Sequence, residues 1–154
     1  MLFLNQSILT ELKSMVESHD EECCGFLFGH EMGSQRMITS ILQVKNVSPV
    51  NRERTFAISS KDYMQAENLA DMNNLKLLGV YHSHPNSPAV PSEFDSKAAQ
   101  PYFSYVILSV TKWQVNSVRS WTLNNNLKFE EEPLSIININ QHKHGYHNHP
   151  NPAA

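Results

Sequence analysis

One run of residues constrains this chain more than any other. Leu75 to His84 is apolar through Leu77, Leu78, Val80 and Tyr81 and then ends in His82-Ser83-His84-Pro85. A short run that is apolar on both sides belongs in the middle of a sheet covered on both faces. Side chains alternate along a strand, so His82 and His84 project to the same side while Ser83 faces away. The following residues, Pro85 to Pro91, include three prolines and must form a loop, after which Ser92 caps a short helix reaching about Ala99. Any fold for this chain must therefore present two imidazoles on one face where a central strand gives way to a loop.

The other elements arrange themselves around that strand. Ile8, Leu9, Leu12, Met15 and Val16 at helical spacing predict an amphipathic helix over residues 5–18, capped by Asn5 or Ser7. Cys24 to Gly29 reads as a buried strand and Arg36 to Val47 as a second. Asn46 to Arg54 connects to a short strand, Thr55 to Ile58, and Ser59 or Ser60 caps a helix to about Asn73. Tyr105 to Val110 is a further buried strand. Trp113 to Leu123 and Leu127 to Ile137 close the sheet around the turn Asn124-Asn125-Asn126. One domain, residues 1–138, is expected, with residues 139–154 as a flexible tail rich in histidine.

The charge balance narrows the partners. A net charge of -3 and a pI near 6.2 leave no basic surplus for phosphates or anionic lipid, so neither nucleic acid nor a membrane is expected as a partner. Cys23 and Cys24, the only cysteines, are adjacent, and a bridge between neighbours would be badly strained. A reducing compartment, the cytoplasm, fits that usage. Met1 to Leu4 is apolar, but no basic segment precedes it and no cleavage pattern follows.

His82 and His84 offer two nitrogens to one point, and Asp95, in the first turn of the next helix, can bring a carboxylate oxygen back to them. Two histidines and a carboxylate leave a fourth position for water, the arrangement of a catalytic rather than a structural zinc. Each piece alone has a plainer reading. His-x-His is common on strands, and Ser92-x-x-Asp95 is the pattern of a capping box in which Ser92 bonds the Asp95 amide and does no more. Their conjunction on a strand end, a proline loop and a helix start favours the metal. A hydrolytic zinc also needs a proton carrier, and the candidates stand before the first buried strand, in Asp20-Glu21-Glu22-Cys23-Cys24-Gly25. On residues alone Glu21 and Glu22 are both eligible. A zinc deaminase would need a His-x-Glu together with a Pro-Cys-x-x-Cys ligand pair, and the latter is missing from the sequence. A cysteine hydrolase built on Cys24 is weaker, since a cysteine opening an apolar strand is more often core than nucleophile.

With these residues in view the chain resembles the JAMM or MPN-plus metalloprotease family, in its short prokaryotic form. That family has a distant Glu, then His-Ser/Thr-His, seven residues, Ser, two residues and Asp. Here Glu22 stands three residues before Gly25, residues 85–91 are the seven, and Ser92 and Asp95 complete the pattern. The likeness runs on through Asn46-Val47-Ser48-Pro49, Phe56 and Tyr105 to Ser109, covering roughly residues 5–123. It implies an α+β fold like that of cytidine deaminases, a mixed central β-sheet flanked by helices in an α/β/α sandwich, and one zinc ion held by His82, His84 and Asp95. It also implies Glu22 as general acid and base, and Ser92 as a stabiliser of the tetrahedral oxyanion. The implied activity is that of a zinc-dependent metallopeptidase or isopeptidase cutting after the di-glycine C-terminus of a small ubiquitin-like sulfur-carrier protein. The family forms homodimers in two modes, and the sequence selects neither. Two alternatives from other classes are a non-catalytic scaffold of the same family and a metal-binding adaptor using His142, His144, His147 and His149 of the tail.

Overall fold

Cys24-Gly25-Phe26-Leu27-Phe28 is buried on both of its faces, and this is why the strand it begins sits deep in the sheet. The computed structural model describes residues 1–138. The strands are β1 (Leu2–Asn5), β2 (Cys24–Met32), β3 (Gln35–Val44), β4 (Lys76–Pro85), β5 (Ser104–Thr111), β6 (Gln114–Leu123), β7 (Phe129–Glu132) and β8 (Leu134–Ile137). The helices are α1 (Gln6–Val16), α2 (Ser60–Met72) and α3 (Glu93–Ala98). All eight strands join one mixed sheet in the order β7-β6-β5-β4-β2-β3-β1-β8. The expected α+β architecture is the one found.

Two apolar layers hold the sheet. On one face α1 places Ile8, Leu12 and Val16 over Leu2, Leu4, Leu27, Ile38, Tyr81 and Val106. On the other, α2 sets Ala66 and Ala70 against Phe26, Phe28, Val80 and Tyr105. Alternation carries His82, two residues beyond Val80, to the α2 side. Ser59 is the residue that caps α2, its hydroxyl oxygen accepting from the Asp62 amide at 3.1 Å. Gly25 is required by contact: a Cβ there would overlap the Leu42 carbonyl oxygen and the Tyr81 ring. Gly79 likewise lets β4 lie against the Ser104 carbonyl of β5.

Three expectations need correction. Residues 2–5, not read as a strand, form β1, which pairs in parallel with β3 and β8 and buries Leu2 and Leu4 completely. Four residues at a terminus are too few to show a period. Thr55 to Ile58 is not a strand. Its backbone makes only isolated bonds, Thr55 N donating to Asn51 O and Val47 N to Ala57 O, both at 2.9 Å, while one side chain spans it, with Asn46 Nδ2 donating to Thr55 O at 2.9 Å and Asn46 Oδ1 accepting from Ala57 N at 3.1 Å. The single closing strand read over 127–137 is two, divided at Pro133. Proline has no amide hydrogen to continue the ladder, and its carbonyl accepts from Leu2 N at 2.9 Å. Glu132 ends one edge strand and Leu134 begins the other, so the sheet curls until its two edges lie one proline apart. The histidine-rich tail expected over 139–154 lies outside the described residues.

Candidate metal centre

The pleat of β4 brings His82 Nε2 to 3.0 Å from His84 Nε2. Asp95 Oδ2 lies 3.2 Å from both. Ser92 and Asp95 form a complete capping box at the start of α3: Asp95 N donates to Ser92 Oγ at 3.1 Å, and Ser92 N donates to Asp95 Oδ2 at 2.8 Å. The plain reading of this motif and the functional one are therefore both present, because the cap itself aims the carboxylate at the imidazoles. Glu22 arrives from the segment before β2, and one ligating atom from each of Glu22, His82, His84 and Asp95 lies within 4.8 Å of the others. All four residues are buried.

This arrangement fits a divalent cation. Tetrahedral zinc with bonds of about 2.0–2.1 Å holds its ligand atoms about 3.3 Å apart, close to the triangle formed here. Without a cation, two imidazole nitrogens and a carboxylate oxygen would crowd together in a dry site, and Glu22 Oε1 is buried with no hydrogen-bond partner. His84 Nδ1 donates to Pro88 O at 2.7 Å, which fixes the proton there and leaves the Nε2 lone pair toward the cluster. The His82 ring is held by stacking on Phe56, centroids 4.3 Å apart and planes 24° from parallel.

Burial pushes the Glu22 carboxyl up to about 8, as expected of a carboxylate in a dry place, and a cation bound nearby would draw it down again. Burial also keeps His82 below the ordinary histidine value. For Asp95 burial acts upward, but the imidazoles and the Ser92 amide outweigh it and hold the carboxyl well below the usual range. The Cys24 thiol, by contrast, is raised by burial to about 12 and carries no useful thiolate.

The structure separates the two candidate acids. Glu21 is half exposed and pairs outward with Arg52 at 3.2 Å, whereas Glu22 points into the cluster. The backbone at Glu22 is held from three sides. Glu22 N donates to Arg52 O at 2.7 Å, Asn46 Nδ2 donates to Glu22 O at 3.0 Å, and Cys23 N donates to Ser83 Oγ at 2.8 Å. Ser83 does face away from the metal side, as its place in the alternation required. The proline loop is fixed as well: the carbonyls of Ser87, Pro88 and Ala89 accept in turn from Ser109 Oγ, His84 Nδ1 and Trp121 Nε1. Sequence reading missed Arg54, which lines the groove before the cluster, and the clamping by Ser83 and Asn46. Alternation could place Ser83 but could not name its partner, and nothing local marks Arg54.

A family model described as prokaryotic homologs of the JAB domain matches residues 6–124. The chain belongs to that family. Among its JAB-domain relatives, a protein named desampylase from Pyrococcus furiosus is 25% identical over 136 residues, covering 88% of this chain and 90% of that protein. A CysO-cysteine peptidase of Mycobacterium tuberculosis is 27% identical over 124 residues, covering 77% and 79%. A probable TtuB-protein conjugate cleaving protease of Thermus thermophilus is 27% identical over 108 residues, covering 70% and 69%. The fold is shared with a protein of Desulfitobacterium hafniense solved in solution, at a TM-score of 0.79 and 24% identity over 96% of this chain and all of that one. No helix among the described residues is long and apolar enough to cross a membrane.

Proposed function

We propose that this JAB-domain chain is a zinc-dependent peptidase or isopeptidase that hydrolyses the bond following the di-glycine C-terminus of a small ubiquitin-like sulfur carrier. The observation that carries the reading is the convergence of His82 Nε2, His84 Nε2 and Asp95 Oδ2 within 3.2 Å beside the buried, unpartnered Glu22 carboxylate. Relatives named for TtuB conjugates and for CysO-cysteine support the substrate class.

His82, His84 and Asp95 would hold the ion, which when bound supplies Lewis acidity toward a carbonyl and toward water. Glu22 takes the proton of the attacking water and returns it to the departing amine. Its dry surroundings raise its basicity, and its clamped backbone keeps it in place. Ser92 Oγ accepts from the Asp95 amide, which leaves its O–H to donate to the developing oxyanion. The groove before the cluster, about 550 Å³ and walled in part by Pro88, Val90 and Phe94, takes a tail whose last residues have no side chains. Residues 1–138 serve as the catalytic unit. Free, buried cysteines agree with a cytoplasmic setting.

The test is elemental analysis of protein ending at Asn140, beside the same protein carrying His82→Ala, together with hydrolysis of a carrier conjugate. One zinc per chain, lost on substitution, and metal-dependent cleavage are expected. A metal-free, inert protein would leave only a scaffold role.

A further inference from the structure

Arg54 is the one lysine or arginine that lines the groove before the cluster. The other three arginines each have a carboxylate partner: Arg36 with Glu31 at 3.0 Å, Arg52 with Glu21 at 3.2 Å and Arg119 with Glu131 at 2.6 Å. Among the described residues Arg54 forms no such pair. Its exposed side chain lines the groove together with Glu22.

The backbone that presents Arg54 is firmly built. Arg54 N and Thr55 N donate to Asn51 O at 3.0 and 2.9 Å. Thr55 Oγ1 lies 2.7 Å from Ser48 Oγ, both residues being buried, and Asn46 Nδ2 donates to Thr55 O at 2.9 Å. A locked loop therefore offers an unpaired guanidinium to the groove, and the fork of an arginine can hold a carboxylate by two parallel hydrogen bonds.

The next step rests on the proposed peptidase reading. Two kinds of leaving group can follow a di-glycine tail. A lysine side chain of a protein has no carboxylate near its amine, whereas a single amino acid carries one on the carbon next to it. Glu22 must face the departing amine, and Arg54 lines the same groove. We propose that Arg54 is a specificity determinant that receives the free α-carboxylate of one amino acid attached behind the di-glycine tail. The chain is then a remover of single amino acids from a carrier rather than of carriers from proteins. In the reaction the amide C–N bond breaks, water gives its hydroxyl to the glycine carbonyl carbon, and its proton passes through Glu22 to the amine. Arg54 positions the leaving group and exchanges no bond.

The test uses synthetic peptides ending in Gly-Gly-Ala with a free carboxylate, the same peptides amidated, and peptides whose Gly-Gly is joined to a lysine ε-amine. For the native chain kcat/KM should favour the free acid over the amide by about ten- to hundredfold, the effect of one charge-assisted bidentate contact. In Arg54→Met the two should come within about twofold, with the loss on the free acid residing mainly in KM. Calorimetric binding of both peptides to Glu22→Gln and to Glu22→Gln/Arg54→Met gives a second readout, in which only the former protein should prefer the acid. Equal cleavage of acid and amide by the native chain, or a preference that survives Arg54→Met, overturns the assignment. Faster cleavage of the lysine-linked peptide also overturns it but leaves the peptidase reading standing. If no peptide is cleaved by the zinc-loaded native chain, the peptidase reading itself falls.

Discussion

Asn46 offers the sharpest check on how the site is held. Its amide satisfies four backbone groups at once: it donates to Glu22 O at 3.0 Å and Thr55 O at 2.9 Å, and accepts from Ser48 N at 3.0 Å and Ala57 N at 3.1 Å. Asn46→Ala leaves all four without that partner. Each such bond contributes about 1 kcal/mol net, and water reaches part of this half-buried site, so the expected loss is about 2–4 kcal/mol. Against the ~5–15 kcal/mol that usually holds a domain together, that is a large fraction. Asn46→Asp is the telling companion. It keeps the two acceptor contacts but turns a carboxylate oxygen toward two carbonyl oxygens, so at neutral pH it should be no more stable than Asn46→Ala despite its near-identical shape. Urea titration read by circular dichroism measures both, with the midpoint lowered and the slope unchanged. The zinc content should persist, since no ligand has been touched, while kcat falls because Glu22 is held less closely. A loss below about 1 kcal/mol for Asn46→Ala, or an Asp variant as stable as the native chain, would refute the view that this one side chain ties Glu22 to its loop.

Glu22→Gln should retain one zinc and lose about 10²–10⁴-fold in kcat, whereas Asp95→Ala should lose the metal; a Glu22→Gln enzyme with native turnover would remove Glu22 from the proton-carrying role. Glu31 accepts from Tyr102 Oη at 2.6 Å and pairs with Lys76 and Arg36, contacts that hold its carboxyl below its ordinary value. A depressed carboxyl contributes stability above its unfolded pKa of about 4.3, and the contribution is lost as pH falls through the lower folded value. The gap in urea midpoint between pH 7 and about pH 3 should therefore be smaller in Glu31→Gln than in the native chain, and an unchanged gap would discount these contacts. Lys112 and Trp113 turn the β5–β6 hairpin with φ of 52° and 64°. Replacing them with Asn-Gly, the pair suited to that turn, should raise the melting temperature, by an amount corresponding to about 1–2 kcal/mol. No gain on calorimetry would show that the exposed Trp113 ring makes up for its backbone.

The sequence by itself determined the centre of this protein. Alternation on a doubly buried strand obliged His82 and His84 to share a face, three prolines obliged a loop, and the Ser92-x-x-Asp95 cap obliged a carboxylate at a helix start. These are local rules acting over a few residues, and spacing alone carries them. The tertiary structure decided what depends on partners remote in the chain. It buried Glu22 beside the imidazoles and turned Glu21 outward to Arg52. It gave Ser83 the Cys23 amide, sixty positions away, and held residues 55–58 without a strand ladder, by the side chain of Asn46 and isolated bonds to Asn51 and Val47. It sent residues 129–132 and 134–137 to opposite edges of one sheet, because Pro133 ended a ladder whose next partner was the first strand of the chain. Periodicity records which way a side chain points; only packing settles what it meets.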